Sequence, residues 1–183
     1  MQLVKTISNN VLVKNFLIVL AGSILLTISA KIKIPFYPVP MTMQTFVVIF
    51  LGISFGHKIG VAAVALYLLE GIAGLPVFSN SPEKGIGIAY FMGPTMGYLI
   101  GFIFACFLSG YLKYTSNYFF NFFKILISTS IIYFFGVIWL GTIIGWDKPI
   151  LELGVYPFLL AELFKILLIT VLIKKIVKLR KFI

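Results

Sequence analysis

At 183 residues, 61% hydrophobic and 11% charged, with a mean hydropathy of +1.10, the chain lacks the polar residues needed to cover a soluble domain. Its length suits a single membrane domain of about six spans of roughly 20 residues each. The net charge of +10 does not point to nucleic acid, because five of the fifteen basic residues fall in residues 174–181, directly after an apolar run. There they read as a cytoplasmic anchor drawn to anionic lipid, at about 1 kcal/mol per basic residue.

Hydropathy and charge predict spans at residues 15–30, 42–55, 59–71, 94–112, 118–145 and 157–177. The first carries no charge between Lys14 and Lys31. The second and third are short and separated only by Gly56, His57 and Lys58, which predicts a tight helical hairpin. The fold class expected is therefore an all-α integral membrane protein, a compact bundle of six transmembrane helices. Basic residues near the span ends set its orientation. Lys5, Lys14, Lys58, Lys113, Lys124 and the C-terminal five fall on one side, against Lys31, Lys33, Lys84 and Lys148 on the other. That asymmetry places both termini in the cytoplasm. A cleavable leader ending near Ile28, Ser29 and Ala30 is a competing reading of the N-terminus, but its apolar run is long for one.

Small residues mark helix contacts. Gly97, Gly101, Ala105 and Ser109 recur every four residues in the fourth span, and Gly141 and Gly145 repeat that spacing in the fifth. These are read as packing within the bundle. Ala21, Gly22, Ser23, Thr27, Ser29 and Ala30 form a looser set on the first span, a candidate surface for docking another membrane protein.

Three segments interrupt the apolar pattern: PFYPVPMTMQT (35–45), LPVFSNSPEKGIGIAYFMGPTMGYLIG (75–101) and PFLLAELFK (157–165). In lipid, broken backbone and buried polar groups are tolerated only where they line a cavity or pack inside protein. A small-molecule site is expected there, opening to the outer face. Glu162 and Lys165 share a helix face. Lys165 lies ~12 Å from Pro157 and ~13 Å from Lys174 along that helix, at 1.5 Å per residue, so neither end is in easy reach. A charge near the bilayer centre costs at least roughly 2.5–3.5 kcal/mol and is usually functional or paired. Carboxylate and ammonium together match a neutral ligand edge with N–H donors and a carbonyl, such as a urea or amide.

Gln44, early in the second span, both donates and accepts. Gly93, Pro94 and Thr95 open the fourth helix with Pro in its first turn, leaving N–H groups for an anion, with Lys84 nearby. Phe78, Tyr90, Phe91 and Tyr98 offer aromatic walls for an apolar ligand body. His57, Glu70, Asp147 and Glu152 carry weaker signals. Cys106 is alone, and the sequence contains no HExxH, GxSxG or GxxxxGK[ST] pattern, so neither metal hydrolysis, acyl transfer nor ATP binding through a phosphate loop is expected.

The segments PVPMTMQT, YLLEGIAGLPVF, GPTMGYLIGF and PFLLAELFK, in this order and spacing, resemble the BioY family, the biotin-binding S components of energy-coupling factor (ECF) transporters. The resemblance runs from about Lys31 to Lys174. It implies a six-helix bundle with an outward-facing biotin site in a bacterial cytoplasmic membrane, and no cofactor. It also implies a transmembrane coupling subunit and two cytoplasmic ATPases as companions. Glu162 stands where the family usually has Asp. By this resemblance Glu162 accepts the ureido N–H groups, while Lys165 and Gln44 meet the ureido oxygen or brace Glu162. Phe78, Ser79, Asn80 and Tyr98 shape the pocket, and the carboxylate lies toward Thr95. The family's Ala-x-x-x-Ala docking surface corresponds only to Ser23-x-x-x-Thr27 on the first helix. An S component for another small vitamin and a structural membrane protein are the alternatives.

Overall fold

A computed structural model describes residues 11–34 and 37–182. Lys5, Pro35 and Phe36, named above, lie outside that range. The chain runs α1 (Val11–Lys31), β1 (Lys33–Ile34), β2 (Met41–Thr42), α2 (Gln44–Ile72), α3 (Gly87–Phe91), α4 (Met96–Tyr111) and α5 (Tyr118–Ile144). There follow α6 (Ile150–Gly154), a 3-10 turn (Tyr156–Phe158), α7 (Leu159–Lys178) and a last 3-10 turn (Leu179–Phe182).

The hairpin expected at Gly56 is present. Gly56 has φ 71° and ψ 170°, a conformation open to glycine at little cost, and the helix reverses there. Two contacts prove the reversal: the Gln44 amide donates to the Tyr67 hydroxyl at 2.7 Å, and Gly60 lies against the backbone of Leu51 and Gly52. A straight helix would hold positions 44 and 67 more than ~30 Å apart. Counting the two arms of α2 separately, six helices form the bundle. α1, α5 and the run Ile150–Lys181 are long and apolar enough to cross a membrane; α2 is so only in its summed length, because it folds back at Gly56, and α4 is a shorter apolar helix.

Residues 44–55 rise only ~18 Å, well short of the ~30 Å hydrocarbon thickness. The chain before them must therefore descend into the bundle as non-helical backbone. It does so as a two-stranded antiparallel ribbon pairing Lys33 with Thr42 and Ile34 with Met41. Pro38 and Pro40, which cannot donate and disfavour helix in the preceding residue, keep this segment extended.

The small-residue stripe of α4 works as expected. A Cβ on Gly97 would stand 2.3 Å from the Phe135 carbonyl oxygen, and one on Gly101 would stand 2.8 Å from the Ile132 Cα, so this end of α4 lies backbone to backbone on α5. At its other end Ser109 fills the space beside Gly52 of α2. The Gly141 and Gly145 pair does not repeat the pattern. Gly141 seats the Trp146 ring, and Gly145, at φ 95°, ends α5.

The small face of α1 also turns inward. Gly22 meets Ala63, Ser23 is buried and donates from its hydroxyl to the Glu70 carboxylate, and Thr27 bonds back to the Ser23 carbonyl at 3.1 Å. Of the expected docking pair, Ser23 is thus committed to packing α1 on α2, while Thr27 is half-buried and bonds only within α1. The outward face of α1 is instead Phe16, Leu17, Leu20, Ile24 and Ile28. A helix at the rim has one small stripe, and close approach to its neighbour consumes it.

Candidate functional site

α7 begins at Leu159, which places Glu162 in its first turn and Lys165 one turn further, both pointing into the bundle at 5% and 7% exposure. Lys165 Nζ donates to Glu162 Oε1 at 2.7 Å, to the Thr42 carbonyl at 2.6 Å and to Thr45 Oγ1 at 3.0 Å. The Thr45 hydroxyl in turn donates to Glu162 Oε1 at 2.8 Å. All three ammonium protons and one carboxylate oxygen are satisfied. The other oxygen, Glu162 Oε2, is buried with no partner in hydrogen-bond geometry, although the Tyr133 hydroxyl is close enough to interact with the carboxylate. An unpaired acceptor of this kind costs roughly 1–3 kcal/mol, and more when charged.

A row of hollows leads away from that oxygen. The deepest, about 40 Å³, is walled by Glu162, Thr45, Tyr98, Tyr133 and Phe158. Thr42, Pro40 and Phe102 separate it from a second of about 40 Å³, bounded by Gln44, Phe78, Ser79, Tyr90 and Thr95. Tyr90 and Thr95 then border an outer cleft of about 210 Å³ that reaches Asn80 and Lys84. Together they approach the lower end of ligand-site volumes, about 300–1,000 Å³. Ser79 Oγ, facing the second hollow, is a further buried polar atom without a partner. The tract is thus carboxylate at its deep end, aromatic in the middle and cationic at its mouth.

All of the expected site residues border this tract except Lys165, which stands behind Glu162. One of them departs from expectation. Gln44 does not brace Glu162: its amide serves Tyr67, and its carbonyl accepts a 3.3 Å bond from Thr42. One residue later the helix has turned by about 100°, so Thr45 fills that bracing role. Lys165 has no proton left for a ligand and works as the brace. Tyr98 offers its ring, because its hydroxyl is bound to the Gly154 carbonyl at 2.9 Å. Pro94 precedes the α4 N-cap, Thr95, rather than occupying the first turn. Phe78 is fully buried, stacked on Tyr90 at 5.3 Å and edge-on to Tyr67 at 5.5 Å, and Phe91 packs behind it. Burial raises the ionisation point of the Tyr90 hydroxyl, so it stays protonated while it accepts from the Asn80 amide.

Two residues of the site were read from sequence only as outer-side charges. Lys31 Nζ donates to the carbonyls of Phe78 and Ser81 at 2.8 and 2.7 Å, and Lys33 Nζ to the Ser79 carbonyl at 2.7 Å and Asn80 Oδ1 at 2.9 Å. The two lysines pin the loop that carries Phe78, Ser79 and Asn80. Their alternate spacing at the end of a helix, on the side poor in basic residues, was the available signal. Lys31→Ala and Lys33→Ala are each expected to weaken ligand binding roughly tenfold by removing about 1.5 kcal/mol of charge-assisted bonding. Equilibrium binding to the purified variants checks this, and unchanged affinity in both would show that the loop holds itself.

Fold and site together define a helical membrane protein with a cleft of small-molecule size and, among the described residues, no nucleophile–base pair beside it. The pattern of the BioY family matches residues 3–182. Among curated proteins the chain is 35% identical, over 77% of its length and 82% of the relative's, to the probable biotin transporter BioY of Pyrococcus horikoshii. It is 36% identical, over 85% and 90%, to the biotin transporter BioY of Thermotoga maritima. Among solved structures it superposes on the S-component for biotin from an ECF-type ABC transporter with a TM-score of 0.78, at 27% identity, covering 93% of this chain and 94% of that one. The chain belongs to the BioY family, a family of transporter components and not of enzymes.

Proposed function

We propose that this protein captures biotin from outside the bacterial cytoplasmic membrane and passes it inward as the substrate-binding subunit of an ECF-type ABC transporter. The names carried by its relatives and its structural neighbour supply the ligand. The observation that carries the reading is Glu162 Oε2, without a partner in hydrogen-bond geometry at the deep end of a tract with aromatic walls. A ureido N–H is the donor that oxygen lacks. Lys165 and Thr45 fix the carboxylate in place, so the acceptor is set before the ligand arrives. Phe78, Tyr90, Tyr98 and Phe102 embrace the apolar middle of the ligand. Ser79 Oγ offers one further polar contact, and Thr95, Asn80 and Lys84 receive the carboxylate at the mouth.

The excess of basic residues at the far end of the bundle supports a cytoplasmic location for that end, with the tract open outward. The one small-residue face of α1 is occupied, so a coupling subunit docks elsewhere than on Ser23. The sequence has no phosphate-binding loop, which supports a reading in which separate ATPase subunits hydrolyse ATP. A thermal-shift panel on the purified protein tests the ligand: biotin is expected to raise the melting temperature, and thiamine, riboflavin and folate to leave it unchanged. A shift with another vitamin and none with biotin would reassign the substrate.

A further inference from the structure

The geometry points to a binding site for an anionic phospholipid headgroup in a groove between the α4–α5 turn and the C-terminal half of α7. The groove, about 360 Å³, has Ile173 and Val177 as its floor and Lys174, Lys178, Thr115 and Ser116 at its edges. Its cations are uncompensated. All five acidic residues lie toward the opposite end of the bundle. Among the described residues the only ion pairs are Lys148 with Asp147 and Lys165 with Glu162. Lys174 and Lys178 are one helical turn apart on one face, where like charges repel. Lys174 rests over the Tyr118 ring at 4.9 Å, which orients its ammonium without neutralising it.

Two other cations at this end are already committed. Arg180 donates to the Ile53 and Gly110 carbonyls, each at 2.7 Å, and Lys124 to the Lys113 carbonyl at 2.6 Å. The Thr115–Ser116 edge is rigid, held by buried Asn121 through a 3.1 Å bond from the Thr115 amide and a 2.8 Å bond to the Thr115 carbonyl. Ser116 carries a hydroxyl that no described residue engages, able to donate to a phosphate oxygen.

A lipid fits better than a soluble anion because of what continues from the groove. Along α7 the stripe Leu167, Val171, Lys174, Lys178 passes from exposed apolar to cationic, the order of an acyl chain and its headgroup. Across from it, Tyr118, Phe119 and Phe120 expose apolar surface at the same level. Basic pockets between helices at a membrane surface suit such headgroups.

The test is titration of the purified, detergent-solubilised protein with phosphatidylglycerol, phosphatidylcholine or inorganic phosphate, counting bound lipid by native mass spectrometry. Phosphatidylglycerol is expected to bind one-to-one, with phosphatidylcholine and phosphate neither binding nor competing. Lys174→Gln/Lys178→Gln is expected to weaken it roughly 30-fold, from two cations lost. Lys175→Gln/Lys181→Gln removes equal charge outside the groove and is expected to cost less than about threefold, through the screened field alone. If the first double variant fails to fold, Lys178→Gln alone should cost about fivefold. Equal losses in the two double variants, no loss in either, or competition by phosphate would each overturn the site.

Discussion

Alanine at Glu162 or at Lys165 is expected to weaken biotin binding roughly 10- to 100-fold, the loss of one or two buried charge-assisted bonds at about 1.5–3 kcal/mol in all. The structure adds a second consequence. Removing Glu162 leaves the Lys165 ammonium buried against only the Thr42 carbonyl and the Thr45 hydroxyl; removing Lys165 leaves the carboxylate alone with Thr45. Breaking a buried pair costs about 3–5 kcal/mol of stability, so both single variants should also melt early. The variant carrying both alanines has no lone charge, and its melting temperature should recover while binding stays lost. Glu162→Asp keeps the charge and both acceptors and should retain most of the affinity. Equilibrium binding and thermal melting on the same four variants decide the matter, and wild-type affinity in the double variant would reduce the pair to a structural brace.

Biotin accumulation should fall to background when the protein is expressed in a host without coupling and ATPase subunits, although binding to the cells persists. Concentrating a solute 100-fold requires about 2.8 kcal/mol per molecule, and the chain has no phosphate loop through which to draw it from ATP. Adding back a coupling subunit and its ATPases should restore uptake of labelled biotin. Strong accumulation without them, insensitive to ATP depletion, would describe a solitary carrier and contradict the subunit role.

The parts of this account legible in the sequence are those written in neighbouring residues. Gly56 between two apolar runs announced the hairpin, and two charges three apart in an apolar helix announced the buried Glu162–Lys165 pair. Contacts that join distant positions were not legible. Thr45 meets Glu162 across 117 positions, and a threonine in a span has many ordinary uses. Gln44, the more conspicuous polar residue, points one step around the helix and serves Tyr67 instead. Lys31 and Lys33 look like loop charges until the backbone carbonyls of residues 78–81 are found on their ammonium groups. The orientation of Ser23 depends on which way α1 rotates against α2, and its bond to Glu70 fixes that over 47 positions. Hydropathy marks a helix as lipid-facing or not, but a helix whose surroundings are apolar on every side carries little periodic signal for its own rotation.

The central claim is that biotin lies in the tract with its ureido group on the free oxygen of Glu162. A structure of the biotin-bound protein tests it most directly. The expected result is a ureido nitrogen about 2.9 Å from Glu162 Oε2, the bicycle between Tyr98 and Phe102, and the carboxylate near Thr95 and Lys84. Biotin bound elsewhere, or bound in the tract with its carboxylate at the Glu162 end, would contradict it.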